Sequence, residues 1–317
     1  MPVFDPNSPQ AKPISDLFII TLLIAGGIVL MVIVLVCYSA FKFRQRSGQT
    51  GEPKQIHGNR KWEIGWTAAP ALLLAGLAVP TFMVMNAADP GRPNNTDVPQ
   101  KQNPVNVEII GHQFWWEYRY PGSNVVTSYE LHLPVGQKYL ASLGAADVIH
   151  DFWVPQLGRK MDAVPGLSNS LWLESDRLGA FYGACSEYCG DQHAWMLIRV
   201  LVEPENKFRQ WLQAQQQVPA PPTDPTLKHG QQIFLQNSCA DCHTIAGTSA
   251  NGNVGPNLTH LASRPALGSG VIFYSRQNLY DWIKNVQKIK PGAKMPSYDL
   301  IREPDLQDLV SYLDSLK

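Results

Sequence analysis

The stretch CSEYCGDQHAWM, residues 185–196, sets two cysteines four apart, a histidine four further on and a methionine three beyond that. A single blue-copper site uses one cysteine, two histidines and a weak methionine. Two thiolates at this spacing can instead bridge two metals, each of which then needs its own nitrogen. His193 supplies one nitrogen. His150, in the strand-like VIHDFWVP, is the candidate for the other, and Met196 offers a weak thioether to one metal. Sharing one electron over two soft-ligated metals spreads the geometric change of a redox step over twice as many bonds. That favours electron transfer over substrate binding. A Cys185–Cys189 disulfide or a zinc site would use the same thiols, but zinc does not seek methionine and neither explains His150.

Around this cluster the sequence is organised in short alternating runs. VNVEIIG, QFWWEYRY, SYELHL, KYLASL, DVIHDFWV, NSLWLES, AFYGAC and MLIRVLV each predict a strand. Their regular spacing, with Gly and Pro between, predicts an all-β sandwich or barrel, and the family resemblance given below implies a cupredoxin-like, Greek-key sandwich. FRQWLQAQQQ follows as a short helix, and then VPAPPTDPT, residues 218–226, reads as a Pro-rich linker. Beyond it the strand pattern stops. HGQQIFLQ, NLYDWIKNVQ and EPDLQDLVSYLDSL have helical spacing, so the chain ends in a small all-α module.

That module carries the second cluster, CADCH, residues 239–243. C-x-x-C-H is the attachment motif of a c-type haem, with Cys239 and Cys242 as thioethers and His243 as an axial ligand. A redox C-x-x-C would want a βαβ setting, which this stretch lacks. Met295, the only methionine after His243, stands in GAKMPSY, which resembles the methionine loop of small cytochromes c, and is the expected sixth ligand, raising the potential by soft ligation; His229 and His260 remain alternatives. VGPNL, residues 254–258, resembles the loop in small cytochromes c whose proline carbonyl, here Pro256, accepts the His243 ring N–H.

Upstream, residues 17–41 and 65–88 carry no charge, and each is long enough to cross a bilayer. Pro70 and Pro80 in the second segment are tolerable in lipid, and Cys37 in the first is a small apolar filler. Between them lie Lys42, Arg44, Arg46, Lys54, Arg60 and Lys61 against Glu52 and Glu63. The positive-inside rule makes that loop cytoplasmic, with both termini and the metal-binding modules outside. The first segment has neither the basic start nor the cleavage pattern of a signal peptide. The formal net charge is zero and only 16% of residues are charged, which excludes nucleic acid as a partner. An odd count of five cysteines, four of them in close pairs, argues for metal or cofactor chemistry rather than a disulfide framework. Residues 87–217 hold 10 basic against 14 acidic side chains, and residues 225–317 hold 9 against 7. This small complementarity can steer one module towards the other, although tethering through a short linker matters more.

Together His150, the C-x-x-x-C-x-x-x-H-x-x-M run, HGNRKWEIGWTAAP, GHQFWWEYRYP and HDFWVPQLGRKMDAVPG resemble subunit II of cytochrome c oxidase over residues 15–215. With CADCH downstream, the chain is similar to the caa-type members that carry a fused cytochrome c. The resemblance implies two copper ions on His150, Cys185, Cys189, His193 and Met196, with the backbone carbonyl of Glu187 completing their shell. It also implies that the Glu187 carboxylate helps hold a magnesium or manganese ion shared with the large subunit. Glu63 matches a residue at the mouth of a proton channel into that subunit, while its place before a helix equally suits the helix dipole. In similar oxidases electrons enter at a Trp in the position of Phe114, so here Trp115 or Trp116 takes that part or a tethered donor has moved the point of arrival. Lys160 and Asp162 of GRKMDA also fit the oxidase pattern.

The domain reading is therefore residues 1–88 for the N-terminal tail and transmembrane hairpin, 89–217 for the copper module, 218–226 for the linker and 227–317 for the cytochrome. The resemblance implies the subunit at which electrons enter a terminal oxidase of a bacterial cytoplasmic membrane. They would pass from one covalent haem c to the binuclear copper and on to a large haem–copper subunit I, which reduces oxygen and pumps protons. A subunit III and a donor such as a cytochrome bc complex or soluble cytochrome c are the further partners. No nucleophile, general base or open metal position assigns chemistry to this chain itself. Two other readings share the motifs: the corresponding subunit of a copper-containing nitric oxide reductase, and a membrane-anchored copper and haem redox sensor without catalytic partners.

Overall fold

A computed structural model of the chain describes residues 3–48, 51, 55, 57–88 and 106–317. It divides into two compact units: Lys12–Pro90, and Met1–Ala11 together with Gly91–Lys317. The first unit is built on helices α1 (Ala11–Lys42) and α2 (Arg60–Ala88). Both leave their apolar side chains outward, Leu23, Leu30, Leu72 and Phe82 among them, as a helix does when hydrocarbon is its solvent. They start earlier than the uncharged runs at 17 and 65 because each takes in a polar first turn. In α1 this turn holds the Lys12–Asp16 pair. In α2, Asn59 Oδ1 accepts from Lys61 N and Glu63 Oε1 accepts from Asn59 N, a reciprocal cap of the orphan N–H groups. Pro70 and Pro80 lie inside α2 without ending it.

Among the described residues, the second unit opens with a sandwich of ten strands: β1 (Val107–His112), β2 (Trp115–Tyr120), β3 (Val125–Ser128), β4 (Glu130–Pro134), β5 (Tyr139–Ala145), β6 (His150–Trp153), β7 (Met161–Ala163), β8 (Asn169–Leu173), β9 (Gly179–Cys185) and β10 (Leu197–Glu203). One sheet runs β3-β2-β1-β5-β8 and the other β4-β10-β9-β6-β7. The β1–β5 and β4–β10 pairs are parallel and the others antiparallel. Eight of these strands coincide with the alternating runs. β3 and β7 go beyond that expectation. Alternating residues fill the space between the sheets, with Trp116, Tyr118, Leu131, Phe152 and Ile198 fully buried. The N-terminal segment, placed by sequence with the hairpin, also packs here: Asn7 N donates to Gln156 O, and Ser8 Oγ to Leu157 O.

Helix α3 (Glu205–Gln215) covers one end, Phe208 and Trp211 packing on Tyr120. Residues 216–224 then lead into α4 (Pro225–Gln236), whose first turn is capped by Asp224 Oδ1 accepting from Leu227 N at 3.2 Å. Pro225 and Thr226, assigned to the linker by composition, are therefore helical, since Pro is well suited to a first helical position. The last module adds the single turn α5 (Cys239–Cys242), the helices α6 (Arg276–Ile289) and α7 (Glu303–Asp314), and a minimal hairpin of β11 (Ala266–Leu267) and β12 (Ile272–Phe273). That hairpin corrects the expectation of a module without strands. Gly230 permits the closest helix contact, because a Cβ there would lie 2.1 Å from Asp308 O of α7.

Candidate metal centre and haem pocket

Cys185 ends β9, Cys189 lies in the following loop, His193 opens a single 3₁₀ turn, and Met196 follows that turn just before β10. The loop is folded back by Cys185 N donating to Met196 O at 3.0 Å. β6 pairs with β9, Phe152 opposite Cys185, which brings His150 in from the side. The sulfurs of Cys185 and Cys189 stand 3.9 Å apart, well beyond a disulfide bond. His150 Nδ1 is 4.0 Å from Cys185 Sγ, His193 Nδ1 is 3.7 Å from Cys189 Sγ, and Met196 Sδ is 4.0 Å from Cys189 Sγ. The Glu187 carbonyl is 3.2 Å from Cys185 Sγ, while its side chain is exposed. Two central thiolates with a nitrogen on each side and one thioether form a soft set suited to copper.

The electrostatics agree with that donor set. The Cys189 sulfur, with His150 and nearby backbone groups, pulls the Cys185 thiol down against its burial, and Cys189 is pushed up in turn. Burial opposes a charge on His150, but Asp147 and the Cys185 sulfur outweigh it and raise its pKa. Asp147 Oδ1 lies 2.9 Å from His150 Nε2 and so orients the ring with Nδ1 towards the sulfur. Asp147 is also held far below the usual carboxylate range: burial raises it, but hydrogen bonds from His150, two backbone N–H groups and Lys294 more than offset that. Behind the cluster, Asp162 lies opposite Asp151 on β7. Burial first, and then the Asp162 carboxyl, push Asp151 up to about 7.

The CADCH motif forms α5 and the residue after it. His243 Nδ1 donates to Pro256 O at 2.8 Å, which leaves Nε2 as the free ligand atom. Gly255 makes room for the ring, since a Cβ there would lie 2.5 Å from His243 Cε1. Cys239, Cys242, His243 and Met295 all line one cavity with Phe234, Leu279 and other apolar side chains. Two thiols, an imidazole with one oriented nitrogen and a thioether in an apolar cleft fit a covalent haem. His229 instead bonds Asp308, and both ring nitrogens of His260 sit at carbonyls, those of Lys317 and Gln215. Neither lines the cavity.

The aromatic run divides. Phe114 and Trp115 line the haem cavity from the copper side, Trp115 stacked on His112 with centroids 4.1 Å apart. Trp116 points the other way, into the sandwich, edge-on to His150 at 5.8 Å. Sequence reasoning missed Gln113 and Asp147. Gln113 Nε2 donates to Cys189 O at 2.6 Å, and its N–H donates to Asp147 Oδ2 at 2.8 Å. Only the spacing of DVIH, an acid three residues before a ligand, hinted at Asp147.

A two-helix anchor, a cupredoxin sandwich with a paired-thiol loop and a c-type cytochrome define a class of membrane-bound redox protein. Family models agree along the chain: cytochrome c oxidase subunit II, transmembrane domain, over residues 1–84; its periplasmic domain over 123–203; and cytochrome c over 227–317. Cytochrome c oxidase subunit 2 of Alkalihalophilus pseudofirmus is 36% identical over 99% of this chain and 90% of its own length. The same subunit of Bacillus sp. (strain PS3) is 36% identical over 87% of this chain and 80% of its own. A crystal structure of the periplasmic domain of subunit II of cytochrome oxidase of Bradyrhizobium japonicum is 31% identical, covers 36% of this chain and 94% of its own, and superposes with a TM-score of 0.34. The chain belongs to the cytochrome c oxidase subunit II family and carries a cytochrome c domain fused at its C-terminus. It is a membrane-anchored, copper- and haem c-binding subunit of a haem–copper oxidase, associated with the other subunits of that enzyme complex.

Proposed function

We propose that this chain delivers electrons from an external donor, a cytochrome bc complex or a soluble cytochrome c, through its own haem c and a pair of coppers to the large oxidase subunit. The observation that carries the reading is the adjacency of the two donor sets. Phe114 and Trp115 wall the cavity of Cys239, Cys242, His243 and Met295, and the neighbouring Gln113 is bonded to the carbonyl of Cys189. When bound, the haem and the copper pair supply one-electron carriers; every other part of the task falls to the protein. Cys239 and Cys242 would anchor the haem, and His243, oriented by Pro256, and Met295 would hold its iron. Cys185, Cys189, His150, His193, Met196 and the Glu187 carbonyl would hold the copper pair. Phe114 in place of Trp follows from a tethered donor, with Trp115 beside it on the haem side and Trp116 on the copper side.

The outward Glu187 carboxylate is a ligand for a magnesium or manganese ion at the junction with subunit I. Glu63 stands at the mouth of a proton channel into that subunit, which reduces oxygen to water and pumps protons, with subunit III alongside. The basic loop faces the cytoplasm of a bacterial cell, and both metal-binding modules lie outside. Oxygen uptake by the complex isolated on this chain, driven by ascorbate and a mediator, tests the reading. Cyanide-sensitive uptake is expected. Consumption of nitric oxide without oxygen uptake would move the chain to the reductase branch.

A further inference from the structure

Lys290 terminates α6 and is 4% exposed, although it carries a charge that normally seeks water. Its ammonium donates to three backbone carbonyls: Phe114 at 3.0 Å, Trp195 at 3.2 Å and Gly268 at 2.7 Å. Phe114 belongs to the turn between β1 and β2, Trp195 closes the 3₁₀ turn after His193, and Gly268 follows β11 in the cytochrome. One cation thus ties the loop facing the haem, the loop holding the copper ligands and the wall of the haem cavity. Burial pulls its pKa down to about 7, with the Cys189 sulfur acting in the opposite direction. Around it, Ser269 Oγ donates to Leu197 O at 3.0 Å and Gln192 Nε2 donates to Pro291 O. The neighbouring Lys294–Asp147 pair is of another kind, for Lys294 is half exposed and the pair is open to screening by salt.

We propose that Lys290 is a positioning residue that latches the cytochrome module onto the copper module, holding the haem cavity against residues 113–115 and closing that face to any external cytochrome. The latch rests on the electron route proposed above, but its own test does not depend on that route. A three-carbonyl clamp out of water is directional and insensitive to salt, whereas docking by surface charge is neither. Removing the ammonium leaves buried carbonyls without their donor, so the interface opens while each module keeps its own core.

The experiment is amide hydrogen exchange on the full chain, followed in peptides covering residues 112–116, 190–197 and 266–272. In the wild-type protein, protection there stays constant between about 50 mM and about 500 mM salt. In Lys290→Met, exchange in these three peptides rises at least about tenfold while strand β10 and helix α7 are unchanged. Lys290→Arg, which keeps the charge and offers its donors in a planar fork, opens the interface less than Lys290→Met does. In the assembled oxidase, one electron leaves the haem iron and the copper pair gains it. That transfer slows in Lys290→Met, while direct reduction of the copper by added cytochrome c quickens, with both absorption spectra intact. Unchanged exchange in the variants, or salt-dependent protection in the wild type, overturns the latch. The wild-type measurement decides even if neither variant assembles. A wild-type chain whose haem never reduces its copper defeats the route instead, and leaves the exchange result standing.

Discussion

The copper loop and the haem cavity solve the same problem of holding a redox metal in opposite ways. The proposed copper ligands are gathered by the sandwich itself: His150 arrives from a strand 35 residues before Cys185, and each of these donor atoms lies within about 4 Å of a neighbour. The proposed haem-binding residues Cys239, Cys242 and His243 are almost contiguous in sequence, and the fold around them is an apolar cleft lined by Phe234, Leu279, Ile283 and Leu309. In one module the protein core positions the metal. In the other the cofactor is part of the core. Loss of cofactor should therefore be local in the first module and global in the second.

Removing the haem is the strongest way to break that contrast. In a Cys239→Ala/Cys242→Ala chain the cytochrome module is expected to lose its cooperative unfolding transition, because its helices no longer enclose a packed centre. Calorimetry and near-ultraviolet circular dichroism would register this, and a sharp transition retained by the haem-free module would refute the comparison. Next comes the copper loop. Cys185→Ser or Cys189→Ser should abolish the paired-copper spectrum and nearly all oxygen uptake, leaving the strand content of the sandwich unchanged. Collapse of the sandwich in either variant would mean that the metal, too, is structural.

Two smaller effects sharpen the picture. Asp147→Asn keeps a partner for the His150 ring but removes its charge, and a loss of copper affinity of about 10–100-fold is expected, read by competition with a chelator. Affinity equal to wild type would make Asp147 a bystander. The mildest change is Glu63→Gln. Gln can still reach back to the Asn59 N–H, so the cap persists while the charge is lost. Oxygen reduction should slow a few-fold with copper reduction untouched; steady-state turnover equal to wild type would leave Glu63 with only its structural part.

Much of this is legible in the amino-acid sequence because the signals are local. A thiolate pair, C-x-x-C-H and an uncharged run long enough to span a bilayer each state their chemistry within a few residues. Most sandwich strands announce themselves as short apolar or alternating runs between turn residues; β3 and β7 do not. Local spacing also singles out His150, although only the pairing of β6 with β9 explains why it reaches Cys185.

What the sequence could not decide is everything made by contact between distant segments. The N-terminal residues pack on the sandwich rather than belonging to the hairpin. Phe114, Trp115 and Trp116 are consecutive, yet the pleat turns Trp116 to the copper ligand while the turn presents its two neighbours to the haem cavity. Lys290 reads as one more lysine in a basic helix end. Only the docking of two modules, which takes it out of water and surrounds it with three carbonyls, makes it different from the rest.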